Sequence, residues 1–165
     1  MPHLVLLGAG ASLASFPNGD RNGMKLPLMN SLVDELNLHG FIPKRYENLT
    51  SDFEKLYSKL ASDSSTSADK KAIDKKVYEY FYDMEIPDKP TLYDYLILSL
   101  RKKDLIATFN WDPLLLKTMR RHSSIKNLPK AVFLHGNVAV GICSNCKIKG
   151  FKSLLSDKEL RSLRL

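Results

Sequence analysis

Two glycines follow directly on an apolar run that begins at Leu4. Such a run, ending in Gly-x-Gly, is typical of a short core strand entering a tight turn. Because glycine has no Cβ, the backbone N–H groups of this turn can approach a diphosphate closely. The turn residues predicted to bind a nucleotide are Gly8, Ala9, Gly10, Ala11 and Ser12. A purely structural strand-to-helix turn is the alternative. Leu13 stands where a full dinucleotide fingerprint has a third small residue, which argues against a dehydrogenase-type site.

Polar side chains also follow two later apolar runs, at residues 105–109 and 131–134. Asn110 and Asp112 come after the first run, and His135 comes after the second. An asparagine amide can orient a ribose hydroxyl or a water. A histidine titrates near neutrality and can act as a general base. The alternative is that these three residues are ordinary turn and helix-cap residues.

Cys143 and Cys146 have the spacing of half a zinc site. A closed structural site needs four ligands, and the sequence has no further cysteine. His122 is a conceivable third ligand, although no pattern places it nearby. The alternative is a turn carrying two free thiols, and we therefore expect no tightly held zinc.

Helical patterns separate the three apolar runs. They comprise a helix beginning at Pro27, one over residues 69–83, one capped by Thr91 with Asp94 three residues later, and one starting at Pro113. The Ser-rich residues 62–68 are predicted to form an exposed loop. Strands alternating with helices indicate a doubly wound, Rossmann-like α/β fold with a parallel sheet and crossover helices. Ligands bind at the carboxyl ends of such strands, so the glycine turn, Asn110, Asp112 and His135 are expected to converge on one edge.

The chain has 165 residues, which is the length of a single domain. Its net charge of +7 is compatible with an acidic or phosphate-bearing partner. Its basic residues are scattered and no aromatic stacking pattern accompanies them, so nucleic-acid binding is not favoured. We expect no membrane association, because no apolar run has the length of a transmembrane helix. The lack of an export signal and the two closely spaced cysteines favour the cytoplasm.

The order of these motifs resembles the sirtuin family. The segments Gly-Ala-Gly-Ala-Ser, Thr-Phe-Asn-Trp-Asp, Leu-His-Gly and Cys-x-x-Cys follow one another from residue 4 to about 146. Within the family, the chain looks closest to the divergent SIR2-like branch of prokaryotic anti-phage proteins, which degrade NAD. The features that resemble this branch are the Gly-Ala-Gly-Ala-Ser form of the turn, the aromatic Trp111 and the pair Leu26-Pro27. The resemblance implies a single SIR2-like domain over 1–165, with 40–90 as a helical insertion, that lacks the C-terminal strands of the family.

The resemblance also implies roles for individual residues. The glycine turn would cradle the diphosphate of NAD or ADP-ribose, and Asn110 and Asp112 would lie at the nicotinamide ribose. His135 would be the catalytic base, and NAD would be the substrate. In the family, Cys143 and Cys146 would be one of two cysteine pairs that bind zinc. A homo-oligomer or a C-terminal domain beyond Leu165 stays open.

Three departures from true sirtuins keep other functions open. First, the Pro-Asp-Phe-Arg segment is absent, although Arg21 lies in the corresponding loop. Second, Phe109 stands where the family has a glutamine. Third, the second cysteine pair is missing. We expect an NAD hydrolase that cleaves the nicotinamide–ribose bond. The alternatives are an NAD-dependent protein-lysine deacylase and a non-catalytic nucleotide-binding sensor or inactive fragment.

Overall fold

A three-stranded parallel sheet forms the centre of the computed structural model, which describes residues 1–142 and 149–151. Its strands are β1 (Leu4–Leu7), β2 (Leu105–Thr108) and β3 (Lys130–Phe133), hydrogen-bonded in that order. Leu7, Thr108 and Phe133 are aligned across the sheet, so all three strands end at one edge. The predicted α/β class with a parallel sheet is confirmed.

Six α-helices lie among the described residues. They are α1 (Ala9–Ser15), α2 (Leu32–Glu35), α3 (Phe53–Ser62), α4 (Ser67–Tyr82), α5 (Leu92–Ser99) and α6 (Leu114–Arg121). Short 3-10 helices occupy His39–Phe41, Lys44–Leu49 and Ser64–Thr66. None of the helices in the described part of the chain is both long enough and apolar enough to cross a membrane.

The region between β1 and β2 is largely helical, and α3 and α4 pack against each other there. Residues at helical spacing on the two helices are buried, which gives each an apolar face. These residues are Phe53, Leu56 and Leu60 on α3 and Ile73, Val77 and Phe81 on α4. The Asp52 side chain caps α3 by accepting a hydrogen bond from the Lys55 backbone. Much of the segment 40–90 is therefore helical.

Two of the predicted elements are wrong in their bounds. The helix expected from Pro27 begins only at Leu32, because Ser31 and Leu28 bond each other and form a turn instead. Asn37 has a φ of 51°, a left-handed conformation that follows directly on this short helix. The Ser-rich segment 62–68 is not a simple exposed loop, since buried Thr66 bonds the Leu60 carbonyl and α4 starts at once.

One face of the sheet remains open at β1 in the described part of the structure. Leu4 and Leu6 point to the same face and are 61% and 63% exposed. A doubly wound sheet has helices on both faces, which would bury such residues. The described residues therefore show a parallel α/β sheet without a complete second helical layer. A separate antiparallel hairpin, β4 (Val140–Ile142) with β5 (Lys149–Phe151), was not predicted.

Candidate functional site

A cavity of about 590 Å³ lies where the three strands end. Its lining comes from segments far apart in the sequence: the end of β1, the loop after β2, the turn after β3, and the helices α3 and α4. The lining residues are Gly8, Ala9, Met29, Phe53, Glu54, Tyr57, Ser58, Asp74, Val77, Phe109, Asn110, Trp111 and His135. The structure thus brings Gly8, Ala9, Asn110 and His135 together at one site.

The predicted glycine turn divides into two parts. Gly8 and Ala9 line the cavity, whereas Gly10, Ala11 and Ser12, which follow Ala9 in α1, do not. Gly8 has a φ of −117°, an extended backbone that any residue can adopt, and a Cβ added there would meet no atom within 4 Å. The absence of a side chain at Gly8 therefore leaves open space beside the cavity.

Asn110 ties the loop after β2 to the glycine turn. Its Nδ2 donates hydrogen bonds to the Gly8 carbonyl at 3.0 Å and to Ser12 Oγ at 2.8 Å. Its backbone N–H donates to the Thr108 hydroxyl at the end of β2. No described residue donates a hydrogen bond to Asn110 Oδ1. Asn110 therefore shapes the cavity with its nitrogen and has an amide oxygen available for a ligand.

Ser12 is the centre of a buried polar network rather than a residue of the cavity wall. Its hydroxyl donates to Asp112 Oδ2 at 2.7 Å, so the Tyr93 hydroxyl, also 2.7 Å away, donates to Ser12. Burial raises the pKa of Tyr93, and the Asp112 carboxylate raises it further, which keeps the phenol protonated. The network holds α1, α5 and the loop after β2 in one arrangement.

Asp112 is buried in this network and lies two residues before α6. Burial raises the pKa of Asp112, while hydrogen bonds from Ser12 and from the Leu114 backbone oppose that rise. The helix predicted to begin at Pro113 begins at Leu114, and the Leu114 N–H donates to Asp112 Oδ1, so Asp112 still contacts the first turn. Both carboxylate oxygens of Asp112 accept hydrogen bonds from the protein, and its side chain does not line the cavity.

His135 lines the cavity from the turn after β3. Its side chain is exposed, and its ring centroid is 5.4 Å from that of Phe109. Gly136 follows with a φ of 86°, a left-handed conformation that favours glycine, so the chain turns sharply there. None of the described residues hydrogen-bonds the His135 imidazole, which is exposed and lines the cavity.

Sequence reasoning missed Asn137, which connects the two loops at the strand ends. Its Nδ2 donates to the Asp112 carbonyl at 2.7 Å, and its Oδ1 accepts from the Ala139 backbone. Asn137 is buried, although its position after His-Gly resembles an ordinary polar turn. The loops carrying Asn110 and His135 are therefore held together by an amide that no local pattern distinguishes.

Three aromatic rings form the helical wall of the cavity. Phe53 lies 5.7 Å from Tyr57 and 5.7 Å from Trp111, and Tyr57 lies 6.1 Å from Trp111, measured between ring centroids. These separations are typical of favourable aromatic contacts. Sequence reasoning assigned no role in the site to Phe53 or Tyr57. The ring planes of Phe53 and Tyr57 are inclined by 31°, and the Trp111 plane is inclined by 75° and 53° to these two, so the wall consists of angled faces and edges.

Two charged residues contact Tyr57, and the Lys70 ammonium also lies over the ring, 4.6 Å from its centroid. The Tyr57 hydroxyl donates to Asp74 Oδ1 at 2.6 Å and accepts from Lys70 Nζ at 2.7 Å. Lys70 also bonds Asp74 Oδ2 at 2.8 Å, one turn apart on α4. Burial raises the pKa of Tyr57, and the hydrogen bond to Asp74 adds to this effect. Tyr57 therefore stays neutral and has one fixed orientation.

Metal chemistry receives no support from the residues that the structure describes, which contain no group of three or more potential ligand side chains. Cys143 and Cys146, the weak candidates for zinc, lie between β4 and β5 in sequence and outside the described residues. Our expectation about zinc therefore stays a prediction.

Comparison with models of protein families and with curated proteins found no match for this chain. The ligand of the cavity therefore has to be proposed from its lining together with the order of the sequence motifs. That lining combines a glycine turn, an available amide oxygen and an imidazole with a wall of aromatic rings.

Proposed function

We propose that this chain is a SIR2-like NAD-binding domain that cleaves the nicotinamide–ribose bond of NAD. One observation carries the proposal: Gly8, Asn110 and His135 follow three different strands, yet they line a single cavity. Its volume of about 590 Å³ lies within the range of about 300–1,000 Å³ common for small-molecule sites. The motif order that resembles the sirtuin family supplies the choice of NAD.

In this proposal, the diphosphate of NAD lies beside Gly8, where no side chain blocks its approach. The nicotinamide ribose lies between Asn110 and His135. Hydrolysis breaks the bond between ribose C1′ and the nicotinamide nitrogen. The bonding electron pair leaves with the ring, which departs as neutral nicotinamide. Water adds to C1′ and loses a proton, giving ADP-ribose.

His135 would accept that proton, because its imidazole can act as a general base and the exposed side chain lines the cavity. Asn110 Oδ1 would orient the attacking water or the ribose hydroxyl, since no described residue bonds it. Positioning of this kind supplies much of the rate enhancement in a reaction that needs no metal. Ser12 and Asp112 would support the site by holding Asn110 and the loop after β2 in place.

Nicotinamide release from NAD tests the proposal. The purified chain is incubated with NAD, with and without an acetylated lysine peptide, and products are separated chromatographically. We expect nicotinamide and ADP-ribose without peptide. His135→Ala should abolish release, whereas His39→Ala should not, because His39 bonds Asp34 and does not line the cavity.

The other outcomes distinguish the alternative functions. Release that requires the peptide would show a deacylase instead of a hydrolase. Binding of ADP-ribose without any release would favour a nucleotide sensor. If the chain neither binds ADP-ribose nor releases nicotinamide, the proposed function is wrong.

A further inference from the structure

The protons of the buried network around Ser12 have only one arrangement that satisfies every group. A carboxylate has no proton to donate, so the single proton of the Ser12 hydroxyl goes to Asp112 Oδ2. The two lone pairs of Ser12 then accept from the Tyr93 hydroxyl and from Asn110 Nδ2. The second N–H of Asn110 goes to the Gly8 carbonyl, which can only accept. Both amide protons of Asn110 are therefore used inside the protein.

We propose that Asp112 is a positioning residue, whose carboxylate acts through Ser12 to keep the amide nitrogen of Asn110 turned inward and its oxygen turned to the cavity. Asp112 does not line the cavity itself, so its effect is indirect. The catalytic consequence of this arrangement rests on the proposed function. A water that donates to Asn110 Oδ1 keeps its lone pairs for attack on C1′, whereas a water that accepts from Nδ2 has one lone pair engaged.

An exchange of one atom at Asp112 should reverse the network. In Asp112→Asn, the Leu114 N–H still needs the acceptor at the Oδ1 position, so the new NH₂ group takes the Oδ2 position beside Ser12. It donates to Ser12, whose own proton then loses its acceptor. The Ser12 and Tyr93 hydroxyls can give one proton to each other, and the second proton has an acceptor only if the Asn110 oxygen turns inward.

The Gly8 carbonyl can release the Asn110 amide without becoming unpaired. It also accepts a hydrogen bond from the Ala11 N–H at 2.9 Å. A turned amide therefore leaves this carbonyl with one partner, whereas an unturned amide leaves a buried hydroxyl proton with none. Because an unpaired buried donor is costly, we expect Asp112→Asn to turn its amide neighbour and present an NH₂ group to the cavity.

Hydrogen exchange of side-chain NH₂ groups, measured by NMR at one fixed pH, tests this orientation directly. The Asn110 signal is identified by its absence from Asn110→Asp. In wild type its protons should exchange slowly, and in Asp112→Asn at least about tenfold faster, because they then face the cavity. Asn137 is the internal reference: it donates to the Asp112 carbonyl and accepts from the Ala139 N–H, so its amide cannot turn. Its exchange should be the same in both proteins.

Kinetics separate positioning from a general loss of structure. For nicotinamide release we expect Asp112→Asn to lower kcat at least about tenfold and to leave KM near the wild-type value, since a ribose hydroxyl can bond either end of an amide. Asp20→Asn is the matched control, because Asp20 is also a buried carboxylate that accepts backbone hydrogen bonds, but it does not line the cavity or contact the network. Its kcat should equal that of wild type.

Two further measurements test the path through Ser12 and cover a variant that does not fold. Whatever the exchange rate in Ser12→Ala, adding Asp112→Asn should leave it unchanged, because the connecting hydroxyl is gone. If Asp112→Asn does not fold, wild type is measured at falling pH. Burial raises the pKa of Asp112, so mild acid should protonate it and release Asn110 but not Asn137. Tyr93 keeps its proton throughout, because burial raises its pKa.

The outcomes that overturn the inference are distinct from those that overturn the proposed function. Fast exchange of Asn110 in wild type, equal exchange in wild type and Asp112→Asn, or an equal acceleration in the Ser12→Ala background would each overturn it. So would an unchanged kcat in a variant whose amide has turned. If the amide turns as expected but wild type releases no nicotinamide, the proposed function fails and the positioning of Asn110 by Asp112 stands.

Discussion

The side-chain amide of Asn110 donates a hydrogen bond to the backbone carbonyl of Gly8, 102 residues earlier in the chain. This contact joins the ends of two neighbouring parallel strands at the cavity. The same amide nitrogen reaches Ser12 Oγ in α1. Asn110 therefore has two roles at the site. Its amide nitrogen holds the glycine turn in place, and its amide oxygen is available to bind a ligand.

Ser12→Ala tests whether this network stabilises the fold. Ser12 is buried and contacts Asp112, Asn110 and Tyr93, and the methyl group of alanine would replace none of these hydrogen bonds. Loss of a donor to a buried carboxylate costs about 1–3 kcal/mol, so we expect a decrease of this size in the free energy of unfolding. Urea denaturation measures it.

Ser62→Ala is the matched control, because Ser62 is exposed and bonds only the Lys59 carbonyl. Its effect should stay within about 0.5 kcal/mol. Equal stability of Ser12→Ala and Ser62→Ala would show that the buried hydroxyl contributes nothing.

Gly8→Val tests whether a phosphate group must approach the strand end. The extended backbone of Gly8 accommodates valine, and its Cβ would meet no neighbouring atom, so we expect unchanged thermal stability. The added side chain would occupy the space beside the cavity that we assign to the diphosphate. ADP-ribose affinity should fall at least about tenfold, which is about 1.4 kcal/mol.

Gly40→Val provides the comparison for Gly8→Val. A Cβ at Gly40 also meets no neighbouring atom, and this glycine does not line the cavity. Its ADP-ribose affinity should equal that of wild type. If calorimetry gives the same affinity for wild type and Gly8→Val, the diphosphate does not lie at this turn.

The sequence predicted those elements whose signals are local. The glycine after Leu7 marks the end of β1, and the pair Thr91 and Asp94 marks the start of α5. Hydrophobic spacing also identified the helix over residues 69–83, which the structure places at Ser67–Tyr82. The Pro27 helix failed because a competing bond between Leu28 and Ser31 outweighs the leucine periodicity.

The candidate site was only partly predictable, because its contacts are not local. Parallel-strand geometry was sufficient to expect Gly8, Asn110 and His135 at one edge. The bonds from Ser12 to Asp112 and to Tyr93 span 100 and 81 residues, and no sequence pattern pairs such residues. The aromatic wall was missed for the same reason, since helical spacing shows which side of α3 is apolar but not what it faces.

Thr91→Ala tests the helix start that the sequence did predict. The Asp94 carboxylate accepts hydrogen bonds from both the backbone N–H and the hydroxyl of Thr91, at 2.7 and 2.8 Å. Loss of a capping hydroxyl costs about 1 kcal/mol of stability. We expect Thr91→Ser to restore most of that loss, because serine retains the hydroxyl. Urea denaturation of both variants decides the matter, and equal losses would show that the methyl group, not the hydroxyl, is responsible.

Asp104→Asn tests how the free energy of unfolding depends on pH through the Asp104 carboxylate, which lies just before β2. The Arg101 guanidinium holds the pKa of Asp104 well below its usual range, and the backbone N–H groups of His3 and Arg101 contribute to this. A carboxyl with a lowered pKa in the folded state favours folding above its unfolded pKa of about 3.9. That contribution disappears as pH falls through the folded pKa, because the unfolded chain takes up the proton first. The stability gap between wild type and Asp104→Asn should therefore be constant near neutral pH and narrow below about pH 4.

Urea denaturation at pH 7, 4 and 2.5 measures this gap. Asp88→Asn is the control, because its partner is Arg21 in an exposed pair, and such pairs contribute little to stability. It should differ little from wild type at every pH. A gap between wild type and Asp104→Asn that stays the same from pH 7 to 2.5 would mean that the Asp104 charge does not stabilise the fold. Its effect would then come from hydrogen-bond geometry alone, which asparagine reproduces only in part.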